Sequence, residues 1–147
     1  MPYGEKLAER LQATSASVIM TRVLRKAVIA ATEIQSDHPN RARSKSIPRE
    51  DAFLVGLQLC DYPHREYWED GQPAPICDLH AGETCFHDLE RDPIVLLDKP
   101  FHSVNFYLPR ATFDAIAEDV DVPPIGDLNY KPGTGVADGT IANRCAA

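Results

Sequence analysis

The sequence predicts a mainly β domain of the sandwich or barrel type. After Asp51, turn signals recur about every ten residues with short apolar runs between them, a pattern typical of these folds. The chain carries 12 Pro against 8 Gly, and Pro is excluded from helix interiors and central strands. This composition favours many short elements joined by turns. The 147 residues, 44% of them hydrophobic, fit one domain with its own core.

The first 51 residues contain one predicted strand between two less regular stretches. Residues 4–13 could form a short helix with Leu7 and Leu11 on one face, so residues 1–16 are predicted as an N-terminal arm or helix. Residues 17–34 are rich in β-branched side chains, although their apolar spacing does not exclude a helix, and we predict a strand over 27–34. Residues 35–51 are polar and aperiodic, which indicates a long loop.

The strongest local signal is a hairpin at Asp70-Gly71. It follows residues 52–60, an apolar run bounded by charge that predicts a buried strand. A type I′ turn needs positive φ at both central residues, which Asp-Gly supplies. Pro73 and Pro75 follow the turn, so the returning arm is predicted at a sheet edge.

Three more strands are predicted before residue 109, which places the barrel at residues 27–108. Residues 83–90 alternate, with Cys85 and His87 on one face. The segments 94–97 and 102–108 are the other two, and turns are predicted at 80–82, 91–93 and 98–100.

A helix is predicted after Pro109, which suits a first helical turn. Its apolar face is formed by four residues at helical spacing, namely Phe113, Ile116, Ala117 and Val120. A second helix is predicted from near Gly139 and would be cut short by the C-terminus, which suggests a truncated chain. Residues 109–147 are therefore predicted as a helical end.

The charge distribution argues against nucleic-acid binding by this chain. Residues 1–50 carry nine Lys and Arg against five Asp and Glu, whereas residues 51–147 carry six against seventeen. An acidic body repels phosphate. The sparse basic stretch of Arg41, Arg43, Lys45 and Arg49 is interpreted as a solvated loop, and no helix-turn-helix pattern is present.

We expect a cytoplasmic protein that does not enter a membrane. The N-terminus lacks the apolar core of a signal peptide, and no run approaches about 20 apolar residues. The four Cys are then expected to be reduced thiols.

The motifs of common enzymes are missing, so we predict no catalytic residue, no metal, no cofactor and no enzymatic activity. The five His form neither HxH nor HExxH, and the sequence has no CxxC, GxSxG or P-loop. His87 and His102 lie on predicted strands and could meet in space, which leaves a metal site as an alternative.

Ligand binding inside the barrel is the favoured alternative to catalysis, because small barrels can enclose one small molecule. Candidate wall residues are the aromatic Tyr67, Trp68, Phe86, Phe106 and Tyr107, with Gln58, His87 and Asn105 as polar guides. The competing interpretation is that these aromatic side chains pack in the core or in the hairpin.

Four stretches follow one another at a spacing that resembles a known family: LVGLQLCDYPHREYWEDGQP, HAGETCFHDLERDPI, PFHSVNFYLPRATFDAIAED and PGTGVAD. The most specific pieces are the Tyr-Leu-Pro-Arg helix start at 107–110 and the turn at 88–93. Together they resemble the N-terminal domain of AraC-family transcription regulators of the subgroup with a cupin-like domain.

The resemblance implies a cupin-like, jelly-roll type β barrel with short C-terminal helices. It implies a domain that binds a small-molecule effector, forms a homodimer, or both, with the helix at 109–120 as relay and dimer face. DNA would be contacted only through a C-terminal helix-turn-helix domain, which this chain does not include. The alternatives are a cupin-type metalloenzyme acting on a small molecule and a structural domain with no ligand.

Overall fold

The computed structural model describes residues 15–24, 27–37, 42–44, 46, 48–123, 131–132 and 135–137. Two predicted elements, the N-terminal helix at 4–13 and the second C-terminal helix near Gly139, lie outside these residues. None of the helices in the described ranges is long and apolar enough to cross a membrane.

The larger sheet has six strands in the spatial order β1-β2-β11-β4-β9-β12, all antiparallel. Its strands are β1 (Ser15–Leu24), β2 (Ala27–Ser36), β4 (Ala52–Gln58), β9 (Glu83–Asp88), β11 (Phe101–Pro109) and β12 (Val136–Ala137). The fully buried β4 lies at the centre, as expected for a strand with a continuous apolar run.

Two smaller sheets complete the architecture. A four-stranded sheet has the order β3-β10-β6-β7, and β5 pairs with β8. These strands are β3 (Ala42–Arg43), β5 (Tyr62–Arg65), β6 (Tyr67–Glu69), β7 (Gln72–Pro73), β8 (Cys77–Leu79) and β10 (Ile94–Leu97).

The chain passes back and forth between the larger and the smaller sheets, from β2 to β3, to β4, to β5–β8, to β9, to β10 and back to β11. This alternation is that of a double-sheet jelly roll, the barrel type of cupins. The main core joins both layers, with Ile34, Leu54 and Phe101 from the larger sheet against Leu79 and Leu97. The predicted fold class, mainly β and jelly-roll type, is confirmed.

The Asp70-Gly71 turn has the predicted geometry. Both central residues have positive φ, 48° and 76°, which is the type I′ requirement. The backbone N–H of Asp70 donates to the carbonyl of Arg91 at 2.7 Å, and Arg49 pairs with the Asp70 carboxylate. Pro73 lies on β7 at the edge of its sheet, where its missing N–H breaks no ladder.

Several boundaries differ from the sequence expectations. The ambiguous segment 17–34 is two paired strands, β1 and β2, and the predicted loop at 35–51 contains the short strand β3. Within the predicted helical end, β12 returns to the larger sheet and pairs with β9. Two-residue strands carry no periodicity of their own, so only the neighbouring strand reveals them.

The helix α1 (Arg110–Asp119) begins after Pro109 and packs against β2 and β11. Its buried residues are Thr112 and Ala117, and the Phe113 ring lies edge-on to Phe53 at 5.8 Å between centroids. Ile116 and Val120 are 42% and 61% exposed, so the predicted apolar face is only partly buried. Polar Thr112 lies at the sheet contact instead.

Candidate functional site

A cavity of about 80 Å³ lies between the larger sheet and the smaller sheets. It is lined by Ile34, Ser44, Leu54, Gln58, Tyr62, Arg65, Tyr67, Leu79, Cys85, His87, Pro93, Ile94, Val95, Leu97, Phe101, Ser103 and Asn105. The two layers contribute different chemistry: the larger sheet supplies most of the polar groups, and the smaller sheets supply much of the apolar wall.

The polar groups of the larger sheet meet around Gly56. Antiparallel pairing places Gly56 opposite Cys85 on one neighbouring strand and opposite Asn105 on the other. A Cβ at Gly56 would lie 3.1 Å from Asn105 Oδ1, 3.5 Å from Cys85 Sγ and 3.7 Å from Gln58 Nε2. Because glycine has no side chain, these three polar atoms can converge over one point of the sheet.

Arg65 brings a buried positive charge to this cavity from β5. The residue is 7% exposed, its Nη2 lies 3.3 Å from His87 Nε2, and its guanidinium carbon lies 4.8 Å from the centre of the Tyr67 ring. No Asp or Glu is among the described residues that line the cavity. The Nη1 atom is buried and has no hydrogen-bond partner. Unpaired buried guanidinium groups are costly, which makes this one a candidate ligand-binding group.

His87 is neutral and its proton position can be assigned. Burial, and secondly the charge of Arg65, lower the pKa of His87 from 6.5 to about 3. A guanidinium only donates hydrogen bonds, so Nε2 of His87 accepts and the proton sits on Nδ1. That Nδ1–H is buried without a partner. Arg65 and His87 therefore both hold unsatisfied donors, and both require an acceptor.

The remaining polar groups form a continuous series along the larger sheet. Cys85 Sγ lies 3.5 Å from His87 Nε2, and Gln58 Nε2 donates to the same sulfur at 3.7 Å. Asn105 Nδ2 donates to Ser103 Oγ at 2.9 Å. The cavity thus runs from a positively charged pole at Arg65 to an uncharged amide and hydroxyl pole.

Three of the six predicted ligand-binding residues line the cavity, and three do not. Gln58, His87 and Asn105 are brought together as the alternation of β4, β9 and β11 predicts. Trp68, Phe86 and Tyr107 are not among the lining residues.

The three excluded aromatic residues each have another environment. Trp68 lies next to Tyr67 in β6, and the guanidinium carbon of Arg43 is 4.2 Å from its ring centre. Phe86 is half-buried and alternates with the lining residues of β9. Tyr107 donates its hydroxyl to Glu50. Burial and this carboxylate raise the pKa of Tyr107.

The aromatic residues Tyr67 and Phe106 from the wider set of candidates also separate. Tyr67 lines the cavity, whereas Phe106 packs against a second apolar cluster of Ala31, Leu57 and Val104. A period-two strand cannot present neighbouring side chains to the same face, so only alternate aromatic residues reach the interior.

Arg65 and Gly56 carry the site and were not predicted from sequence. In β5, Tyr62 and Arg65 are both buried although they are three residues apart, because the pairing with β8 shifts register between them. His64 within this bulge has a φ of 51°. The irregularity turns Arg65 inward, and alternation alone would not place it there. No pattern in the sequence marks Gly56 either.

The cavity residues do not fit a metal ion. In the described part of the chain, no three His, Cys, Asp or Glu side chains lie together as a metal site requires. Cys85 and His87 are the two such residues in the lining, and Arg65 holds a fixed positive charge 3.3 Å from the imidazole Nε2. His102 does not join His87, because its Nε2 pairs with Glu33 at 2.5 Å on the other face of β11.

Comparisons with known proteins give structural similarity at low sequence identity. No family model and no curated protein sequence matches the chain. A Cupin 2 conserved barrel domain protein from Salinispora arenicola is 15% identical, with a TM-score of 0.48, over 78% of this chain and 92% of that protein. The identities are low, and the fold assignment rests on the sheet arrangement described above.

Two further similar structures have comparable scores. One is a predicted oxalate decarboxylase from Thermotoga maritima, 12% identical with a TM-score of 0.41 over 64% of this chain and 78% of that one. The other is KdgF from Halomonas sp., 13% identical with a TM-score of 0.39 over 61% and 76%. Nothing in these comparisons connects the chain with AraC-family regulators, so that role stays a prediction.

The expectation that the chain is not an enzyme is wrong as an exclusion. Structures similar to this one include a protein whose name is that of an enzyme, the decarboxylase of Thermotoga maritima. Missing sequence motifs cannot exclude catalysis in a barrel whose reactive groups come from several strands, because such groups need no fixed spacing along the chain.

Proposed function

We propose that the barrel binds a small organic molecule through a carboxylate group, with Arg65 and His87 as the anion-binding pair. The observation that supports this proposal is the buried Arg65 guanidinium, which has no acidic partner among the described residues. A carboxylate would accept from Arg65 and from the Nδ1–H of His87, and it would neutralise the buried charge.

The rest of the cavity suits an organic anion better than an inorganic one. The wall opposite the polar series is apolar, with Leu79, Val95 and Leu97 among its residues. An inorganic anion such as phosphate would leave this wall uncovered and would bring more negative charge than one guanidinium balances. A carboxylate attached to a carbon skeleton satisfies both walls.

The test compares propionate with propionamide, which has nearly the same shape and no charge. Titrations followed by NMR chemical shifts of the uniformly 15N-labelled full chain would give the Kd values, with sodium chloride as the salt control. We expect propionate to bind in the cavity and propionamide to bind much more weakly. Replacement Arg65→Met should weaken propionate binding on the order of 30-fold or more.

The matched control is Arg49→Met. Arg49 is an exposed arginine that pairs with Asp70 outside the cavity, so its loss should leave propionate binding unchanged. Folding of each variant is checked by urea unfolding. Equal affinity of propionate for wild type and for a folded Arg65→Met variant would refute the anion-binding role.

A regulatory role, as the sequence resemblance implies, would use the same cavity for its effector. An effector shifts a regulator only if it binds one conformation more tightly than another. The cavity lies between the two layers of the barrel, so a ligand there contacts both. We keep the regulator as a prediction and propose the carboxylate site as its starting point.

A further inference from the structure

We infer that the ligand is a hydroxy monocarboxylate, which carries one negative charge and at least one hydroxyl group close to it. This inference rests on the proposed anion-binding function and adds the chemical class of the ligand. It follows from the charge count of the cavity, from the amide groups beside Gly56, and from the distance between the two poles.

The charge count limits the ligand to one carboxylate. Arg65 is the one Lys or Arg among the described residues that line the cavity. A second carboxylate would have no cation to pair with and would lie near apolar side chains such as Leu54 and Phe101. Burial of an unpaired carboxylate costs several kcal/mol or shifts its proton equilibrium, so a dianion is disfavoured.

The amide pole calls for a hydroxyl group. Asn105 and Gln58 are 6% and 9% exposed. Each donates to one neighbouring side chain, Ser103 or Cys85, and neither amide oxygen has a partner among the described residues. A hydroxyl group both donates and accepts, so it can pair with an amide turned either way. A hydrocarbon at this position would leave the buried amides unsatisfied.

The two poles are one side chain apart. From Arg65 Nη2 the contacts pass to His87 Nε2 at 3.3 Å and on to Cys85 Sγ at 3.5 Å. Cys85 Sγ and Asn105 Oδ1 both lie within 3.5 Å of the position that a Gly56 Cβ would take. A hydroxyl near the carboxylate along the carbon skeleton can therefore reach the amides while the carboxylate stays at Arg65.

The cavity size agrees with such a compact ligand. One water molecule needs about 10–15 Å³ on the same measure, so 80 Å³ holds roughly five to eight water-sized groups. Lactate, with six non-hydrogen atoms, is therefore a suitable probe. Propionate lacks only its hydroxyl group, and malonate has a second carboxylate in a molecule of similar size.

The experiment measures Kd values of lactate, propionate and malonate by NMR titration of the full chain. We expect lactate to bind about tenfold more tightly than propionate, and malonate to bind more weakly than either. Replacement Asn105→Leu removes the amide at similar volume. It should abolish the preference for lactate while the propionate Kd stays within about threefold of wild type.

The matched control is His102→Gln on the outer face of the same strand, which should keep the lactate preference. Two results would overturn the inference and leave the anion site intact: equal Kd values for lactate and propionate in wild type, or a lactate preference that survives in Asn105→Leu. Binding of none of the three acids would overturn both proposals. If Asn105→Leu does not fold, Asn105→Ser, which shortens the polar group, replaces it with the same expected outcome.

Discussion

At the scale of single residues, Arg65 places binding and stability in opposition. Its guanidinium is buried without an acidic partner in the described ranges, so the ligand-free protein bears the cost of the unpaired charge. Methionine keeps the length of the side chain and removes the charge. We expect Arg65→Met to raise the free energy of unfolding without ligand by about 1–4 kcal/mol, measured by urea unfolding. A destabilised variant would mean that the Tyr67 and His87 contacts outweigh the burial of charge.

His87 should give the protein a characteristic pH dependence. Its pKa is about 3 in the folded state and 6.5 without the protein environment. Between these values the unfolded chain binds a proton at this site and the folded chain does not, so stability falls as pH falls through this window. We expect His87→Gln to remove this loss, at about 1.4 kcal/mol per pH unit below 6.5. Unfolding of both proteins in urea from pH 7 to pH 4 measures the difference, and parallel profiles would contradict the assignment.

At the scale of elements, α1 keeps the dimer prediction open. Ile116 and Val120 are exposed on this helix, and Val122 just beyond it is 50% exposed. Exposed apolar groups that lie close together often mark an interface. If this helix forms the predicted homodimer, Ile116→Glu should convert a concentration-dependent dimer into a monomer in light scattering. A wild-type protein that stays monomeric at high concentration would refute the prediction.

The elements also show where sequence patterns succeed. The Asp70-Gly71 hairpin could be located to the residue, because its backbone conformation depends on two adjacent residues. The inward placement of Cys85 and His87 followed from alternation in β9. The helix face failed in part, because periodicity identifies apolar residues and not which of them the neighbouring sheet covers.

At the scale of the whole molecule, the site is a product of three separate strand regions. Arg65 comes from the small β5–β8 sheet, His87 from β9 and Asn105 from β11. These residues lie up to 40 positions apart in the chain, and only the closure of the two layers brings them to one cavity. A site of this kind has no local motif, which explains why the search for catalytic and metal motifs did not find it.

By itself, the sequence determined the fold class, the hairpin, most strand positions and three polar lining residues, because these depend on turn chemistry and on period-two alternation along one strand. Tertiary structure decided which side chains share a cavity. The bulge in β5 turned Arg65 inward, the sheet register placed Gly56 between Cys85 and Asn105, and a remote strand edge recruited β12. These outcomes arise from contacts between segments distant in the chain, whose geometry no local pattern encodes.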